Sequence, residues 1–196
     1  MQIELRPYDH PHVQALVERL QAEYLTIYGQ TDAAPASASE LAPPRGSFAL
    51  GYVDDVPVAM GGWRLRDDGR AELKRMYVVD EARGRGLSRD ILRWLEASAI
   101  AAGMTEMILE SNQKHPAALG LYRSHGYTPV PAFGYYSASP ENVCLGRSLA
   151  PPTGRGQPGA ASAQDAQPSC LGDRGGPGRD VELGEDVDEV RLHGRF

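Results

Sequence analysis

Residues 78–95, VVDEARGRGLSRDILRWL, place two arginines and two glycines where an apolar run hands over to an amphipathic one. A turn needs a glycine or two, but it needs no pair of cations beside them. The start of a helix carries unpaired N–H groups and a partial positive charge. Several such groups aimed at one point fit a phosphate or pyrophosphate. Gly84 and Gly86 let the backbone approach an anion and permit positive φ. Arg83 and Arg85 add charge and forked donors. Leu87 opens the helix, and Ser88 is small enough to sit against a ligand without blocking it. Just upstream, Met76, Tyr77 and Val78 close a strand, and free main-chain groups there can pair with an amide-bearing ligand as an added strand. Two commoner phosphate loops do not fit. The Walker pattern is absent, and the dinucleotide fingerprint read from Gly84 gives G-R-G-L-S-R, with Arg89 at the third glycine position.

These residues need a scaffold, and the first 150 residues alternate between two periods. Strands are expected over 3–8, 47–53, 54–66, 71–79 and 105–110, with two closing strands over 127–131 and 142–149. Val13, Leu16, Val17, Leu20, Tyr24 and Ile27 recur at helical spacing over 12–28. A second helix follows the arginine–glycine loop to about Ala102, and a third covers 116–126, with Pro116 in its first turn and Gly126 past its end. Residues 29–46 are rich in Ala, Pro and Ser and read as a loop with room for one helical turn at 37–41. The pattern predicts one α/β (α+β) domain over 1–150: a mixed, mostly antiparallel sheet of six to seven strands with about four helices.

Composition sets the outer bounds. Formal net charge is −6 and the pI about 5.4, which disfavours a general nucleic-acid binder. MQIELRPYDH carries charges where a signal peptide has its apolar run, and no stretch is long and apolar enough to span a membrane. Cys144 and Cys170 show neither metal spacing nor a disulfide pattern, and a cytoplasmic protein without a metal is expected. Residues 151–196 hold 9 Gly and 5 Pro but only 7 Leu, Ile, Val or Phe in 46 positions, too few apolar groups for a core, so a low-complexity, disordered tail is expected there.

Arg83-Gly84-Arg85-Gly86-Leu87-Ser88 resembles the [QR]-x-x-G-x-[GA] motif of the GNAT superfamily of N-acetyltransferases, and MYVV before it and SRDILRWLEASA after it fit as well. PAALGLYRSHGY, 116–127, resembles the family's A-x-x-L-Y-x-x-x-G-[FY] helix, with Ala118, Leu121, Tyr122, Gly126 and Tyr127 in register. Ser88 stands where the motif has Gly or Ala, and His115 where many members have Asn. The resemblance covers about residues 2–149.

The resemblance implies acetyl-CoA as co-substrate, with its pyrophosphate on residues 83–88 and its pantetheine arm beside Met76, Tyr77 and Val78. It implies direct attack by a primary amine of a small molecule, amino acid or peptide, and a homodimer is compatible with it. Neither nucleic acid nor membrane is an expected partner. Tyr122 is implied as the acid that protonates the departing thiolate. A phenol with a pKa near 10 is protonated at neutral pH and can serve. Main-chain N–H groups near Met76–Val78 are the natural donors to the carbonyl oxygen as it gains charge. Glu72, eleven residues before Arg83, resembles the catalytic Glu of the family's histone-modifying branch. Glu110 and water are its rivals, and an ion pair with Lys74 or Arg75 is its non-catalytic alternative. FGYY, 133–136, is expected to shape acceptor specificity. His10 and His12 read as capping or surface groups, and Trp63 as packing. The rival function is a silent acyl-CoA-binding sensor or interaction module.

Overall fold

Period-two alternation builds the centre of the sheet. Phe48 and Leu50 join one core with Val13, Leu16 and Leu20, whereas Ala49 between them joins another with Ile91, Leu92, Leu95 and Ala99. A single strand therefore buries both faces, each under its own helix.

A computed structural model of the chain describes residues 1–149. The element order is β1 (Gln2–Leu5), α1 (Pro11–Tyr28), β2 (Gly46–Val53), β3 (Val56–Leu65), β4 (Ala71–Val78), α2 (Leu87–Ala101), β5 (Glu106–Asn112), α3 (Pro116–Ser124), β6 (Thr128–Pro129) and β7 (Asn142–Ser148), with a 3-10 turn at Asp80–Ala82. The strands form one sheet in the order β1-β2-β3-β4-β5-β7-β6. All neighbours are antiparallel except β4 and β5. The expected mixed sheet is thus present with seven strands. The described helices are three, and residues 37–41 make only a single turn. Ser37 and Glu40 open it with reciprocal side-chain to main-chain bonds, and Pro43 and Pro44 stop it from growing. The tail expected over 151–196 lies outside the described residues.

Local signals explain the ends of α1. His10 Nδ1 accepts from the His12 N–H at 3.2 Å, a cap of the expected kind, and Gly29 closes the helix at φ 74° with its N–H on the Leu25 carbonyl. Trp63 is core, 1 % exposed, and its indole N–H donates to Ser98 Oγ at 3.1 Å. Among the described residues no helix is long and apolar enough to cross a membrane.

The functional consequence lies between β4 and β5. Their parallel pairing lasts for Ala71↔Met107 and Glu72↔Ile108 only. Beyond Glu72 the β5-facing edge of β4 has no strand partner among the described residues, and the two strands frame a cleft.

Candidate active site

The parting of the strands coincides with an irregularity in β4. Its register on β3 runs Gly62↔Lys74 and then Met60↔Tyr77, so Arg75 and Met76 together face Gly61. This is a β-bulge, which bends and twists the strand that carries it. Arg75 takes φ 54°, uncommon for a residue with a side chain. Gly61 is required opposite: a Cβ there would lie 2.8 Å from Leu95 Cδ1 and 3.0 Å from Met76 Cγ.

A cavity of about 580 Å³ fills the space between the strands. Met76, Tyr77, Val78, Arg83, Gly84, Gly86, Leu87 and Ser88 all line it. Arg85 does not: it is exposed and lies outside the lining. Of the two arginines expected in the cradle, only Arg83 borders the cavity. Two glycines at positive φ turn the chain tightly, and the second arginine falls on the solvent side.

The cradle itself follows from backbone geometry. Gly86 caps α2 at φ 82° with no side chain to occupy the first-turn N–H groups, and Gly84 sits at φ 75°. Nothing lies within 4 Å of a Cβ built on either glycine, so it is conformation and not crowding that demands glycine. Arg83 is half committed to its surroundings. Its Nε donates to the Val78 carbonyl at 3.0 Å, and its Nη2 contacts Glu23 at 2.5 Å and Asp80 at 3.0 Å. It holds the loop against β4 and α1 as well as adding charge.

Tyr122 comes to the same cavity from the other side. Its α3 segment packs in the α2 core, and its hydroxyl reaches across to donate to the Met76 sulfur at 3.8 Å. Burial pushes its pKa well above the ordinary phenol value, so the proton stays on oxygen through the neutral range.

Glu72 is placed differently from its rival. It is fully buried and does not line the cavity. Arg64 Nε lies 3.0 Å and Arg66 Nη1 3.4 Å from Oε2, and Lys74 Nζ lies 2.6 Å from Oε1, off the ideal hydrogen-bonding direction. Burial works to raise its pKa, but Lys74 and Arg64 outweigh that and hold it below the usual carboxylate range. A carboxylate enclosed by three cations matches the ion-pair alternative for Glu72, with Lys74 as partner. Arg75 instead pairs with Asp32.

Glu110 does line the cavity, and its side chain is only 6 % exposed. Oε1 accepts from the Tyr136 N–H at 3.1 Å and from Asn142 Nδ2 at 3.3 Å. Oε2 is buried with no hydrogen-bond partner among the described residues, and Lys74 Nζ stands 3.8 Å away. Lys74 and Glu110 each stand two residues past the last parallel pair, where the strands part.

An aromatic group edges the cavity: Tyr24, Tyr28 and His115, with ring centroids 5.3 to 5.7 Å apart. Burial lowers the His115 pKa and keeps the imidazole neutral, and its Nε2 is buried without a partner among the described residues. Sequence reasoning missed Asp32 altogether and named Arg75 only as a possible partner of Glu72. Asp32 sits in an irregular loop with no local signal, and Arg75 reads as an ordinary strand residue until the bulge turns it.

The site thus joins a mostly antiparallel sheet with one splayed parallel step, an open strand edge and a glycine-flanked helix start at its mouth. A model of the Acetyltransferase (GNAT) family matches residues 13–127, and the chain belongs to this family. It is an acyltransferase. The chain is 28% identical over 135 residues to an IAA acetyltransferase of Azospirillum brasilense, covering 68% of this chain and 88% of that one. A candidate acyl-CoA N-acyltransferase of Klebsiella pneumoniae has a similar structure, with TM-score 0.65, 27% identity, and coverage of 76% of this chain and 97% of that one. A PaiA N-acetyltransferase of Thermoplasma acidophilum, solved in complex with coenzyme A, shares the fold at TM-score 0.58 and 14% identity, with 76% and 99% covered.

Proposed function

We propose that this protein transfers an acetyl group from acetyl-CoA to a primary amine of a small molecule by direct attack. The observation that carries the reading is the convergence on one cavity of the α2 start, the unpaired edge of β4 and the Tyr122 hydroxyl. Acetyl-CoA supplies the activated acyl group, and the coenzyme A bound to the Thermoplasma neighbour is in keeping with that choice.

The residues divide the work. First-turn N–H groups of Leu87 and Ser88, with Gly84, Gly86 and Arg83, hold the diphosphate. The open edge of β4 at Met76–Val78 pairs with the amides of the pantetheine arm and offers N–H donors to the carbonyl oxygen as it gains charge. Tyr122 keeps its proton until the thiolate forms, then gives it up. An amine must be neutral to attack, and Glu110, directly or through a water, takes its proton. Glu72 holds Lys74, Arg64 and Arg66 in place and takes no part in proton transfer.

Calorimetry with acetyl-CoA, followed by thiol release in a panel of primary amines, tests this reading. Binding followed by amine-dependent thiol release supports it. Binding with no release across the panel points to the silent acyl-CoA-binding module instead.

A further inference from the structure

One set of contacts crosses the cleft and belongs to none of the roles above. Residues 29–45 join α1 to β2 and are tied to β3 and β4: Arg64 Nη1 donates to the Pro35 carbonyl at 3.1 Å and Arg75 Nη2 to the Ala34 carbonyl at 2.9 Å. Residues 130–141 join β6 to β7 and are tied to the β5 side, through the Tyr136 N–H on Glu110 at 3.1 Å. The two loops meet at one point. The Tyr136 hydroxyl donates to Asp32 Oδ1 at 2.7 Å and accepts from the Ala33 N–H at 2.9 Å. Asp32 Oδ2 is paired with Arg75, which is 7 % exposed at the bulge and holds the uncommon φ. A connection as long as 29–45 is uncommon in a compact domain, and an ordered one is often functional.

The place of this junction gives it meaning. Along β4 the order is Arg75, then Met76 against Tyr122, then Val78 and the cradle. The junction therefore stands on the side of the reacting centre away from the diphosphate, where an acceptor must arrive. We propose that Asp32, Arg75 and Tyr136 form a clasp across the acceptor end of the cleft, which admits small compact amines, rejects bulky ones and keeps water from the thioester. The proposal rests on the acetyl-transfer reading. It follows from space and connectivity: Asp32, Arg75 and Tyr136 line the same cavity of about 580 Å³ as the cradle, so the pantetheine arm and the acceptor have to share it. Tyr136 is also held at both ends, by Glu110 and by Asp32, so opening the clasp frees the carboxylate that receives the amine proton.

Two variants test the clasp, D32N and Y136F, the second removing only the hydroxyl. Neither is expected to change acetyl-CoA affinity in calorimetry. Both are expected to speed amine-free thiol release from acetyl-CoA, in which water attacks the thioester to give acetate and free thiol. The rise is about tenfold, the equivalent of one hydrogen bond lost from the closed state. Hydrogen exchange should quicken together in 29–36 and 131–141. With n-butylamine and tyramine as small acceptors, and tobramycin and a pentapeptide with a free N-terminus as bulky ones, the wild type should favour the small pair by about tenfold or more. That preference should collapse in both variants. Unchanged water leak and unchanged ranking in both overturn the clasp, while acetyl-CoA binding stands. A wild type that prefers the bulky pair, or releases thiol with none of the four, overturns the acceptor class. A wild type that binds no acetyl-CoA overturns the acetyl-transfer reading itself, and the clasp with it.

Discussion

The Tyr122 hydroxyl lies 3.8 Å from the Met76 sulfur, so a helix that follows β5 touches the bulged stretch of β4 across the cleft. Nothing else hydrogen-bonds that hydroxyl among the described residues, and burial keeps it protonated. Tyr122→Phe should lower kcat by about 100-fold or more, the usual worth of a positioned acid. Acetyl-CoA affinity should stay near wild type, since one hydroxyl is removed from a packed ring. Steady-state kinetics beside calorimetry separates the two, and unchanged kcat would hand the protonation to solvent.

Gly86 tests the cradle by charge and by conformation. Gly86→Glu places a carboxylate beside the diphosphate and should abolish acetyl-CoA binding. Gly86→Ala meets no atom within 4 Å but must hold φ 82°, so it should cost about 1 kcal/mol of stability and weaken binding only modestly. Equal affinity for acetyl-CoA in wild type and Gly86→Glu would place the diphosphate elsewhere.

Two carboxylates near the strand parting should behave oppositely. Glu72→Gln leaves three cations around a neutral amide and should destabilise the fold by about 3–5 kcal/mol, the range for breaking a buried ion pair from one side. Glu110→Gln should cost much less in urea unfolding but lower kcat/KM for the amine, most strongly at low pH where few amines are neutral. If Glu72→Gln proves as stable as wild type yet inactive, the two roles are reversed.

Alkaline stability offers a test free of any ligand. Burial raises the pKa values of Tyr24, Tyr122 and Tyr127 in the fold, whereas an unfolded phenol titrates near 10. Above about pH 10 the unfolded chain releases protons that the folded chain retains. The stability is therefore fully present below that pH and falls as pH rises through it. Urea unfolding from about pH 8 to pH 11 should show this loss, with a shallower slope in Tyr122→Phe. A flat profile would mean that these hydroxyls ionise freely in the fold.

Much of the scaffold was legible because local chemistry decides it. The stripe of Val13, Leu16 and Leu20, the alternation through Phe48, Ala49 and Leu50, Pro116 at a helix start and Gly126 past a helix end each act within a few residues. The 83–88 loop was legible for the same reason: positive φ at Gly84 and Gly86 and the first turn of α2 are neighbours in sequence.

The far side of the cleft was legible only in part: FGYY and Glu110 stood out, but their partners come from far apart. Asp32 meets Tyr136 across 104 positions and Arg75 across 43. Whether Glu72 or Glu110 faces the cleft depends on where β4 leaves β5, and strand pairing at a distance sets that point. By itself the sequence determined a glycine-flanked helix start on an α/β sheet, through turn chemistry and periodicity. Only the tertiary structure decided which carboxylate lines the cleft and which loops meet across it. A bulge at Arg75 and a two-pair parallel ladder open the sheet there, and no short stretch of sequence encodes that separation.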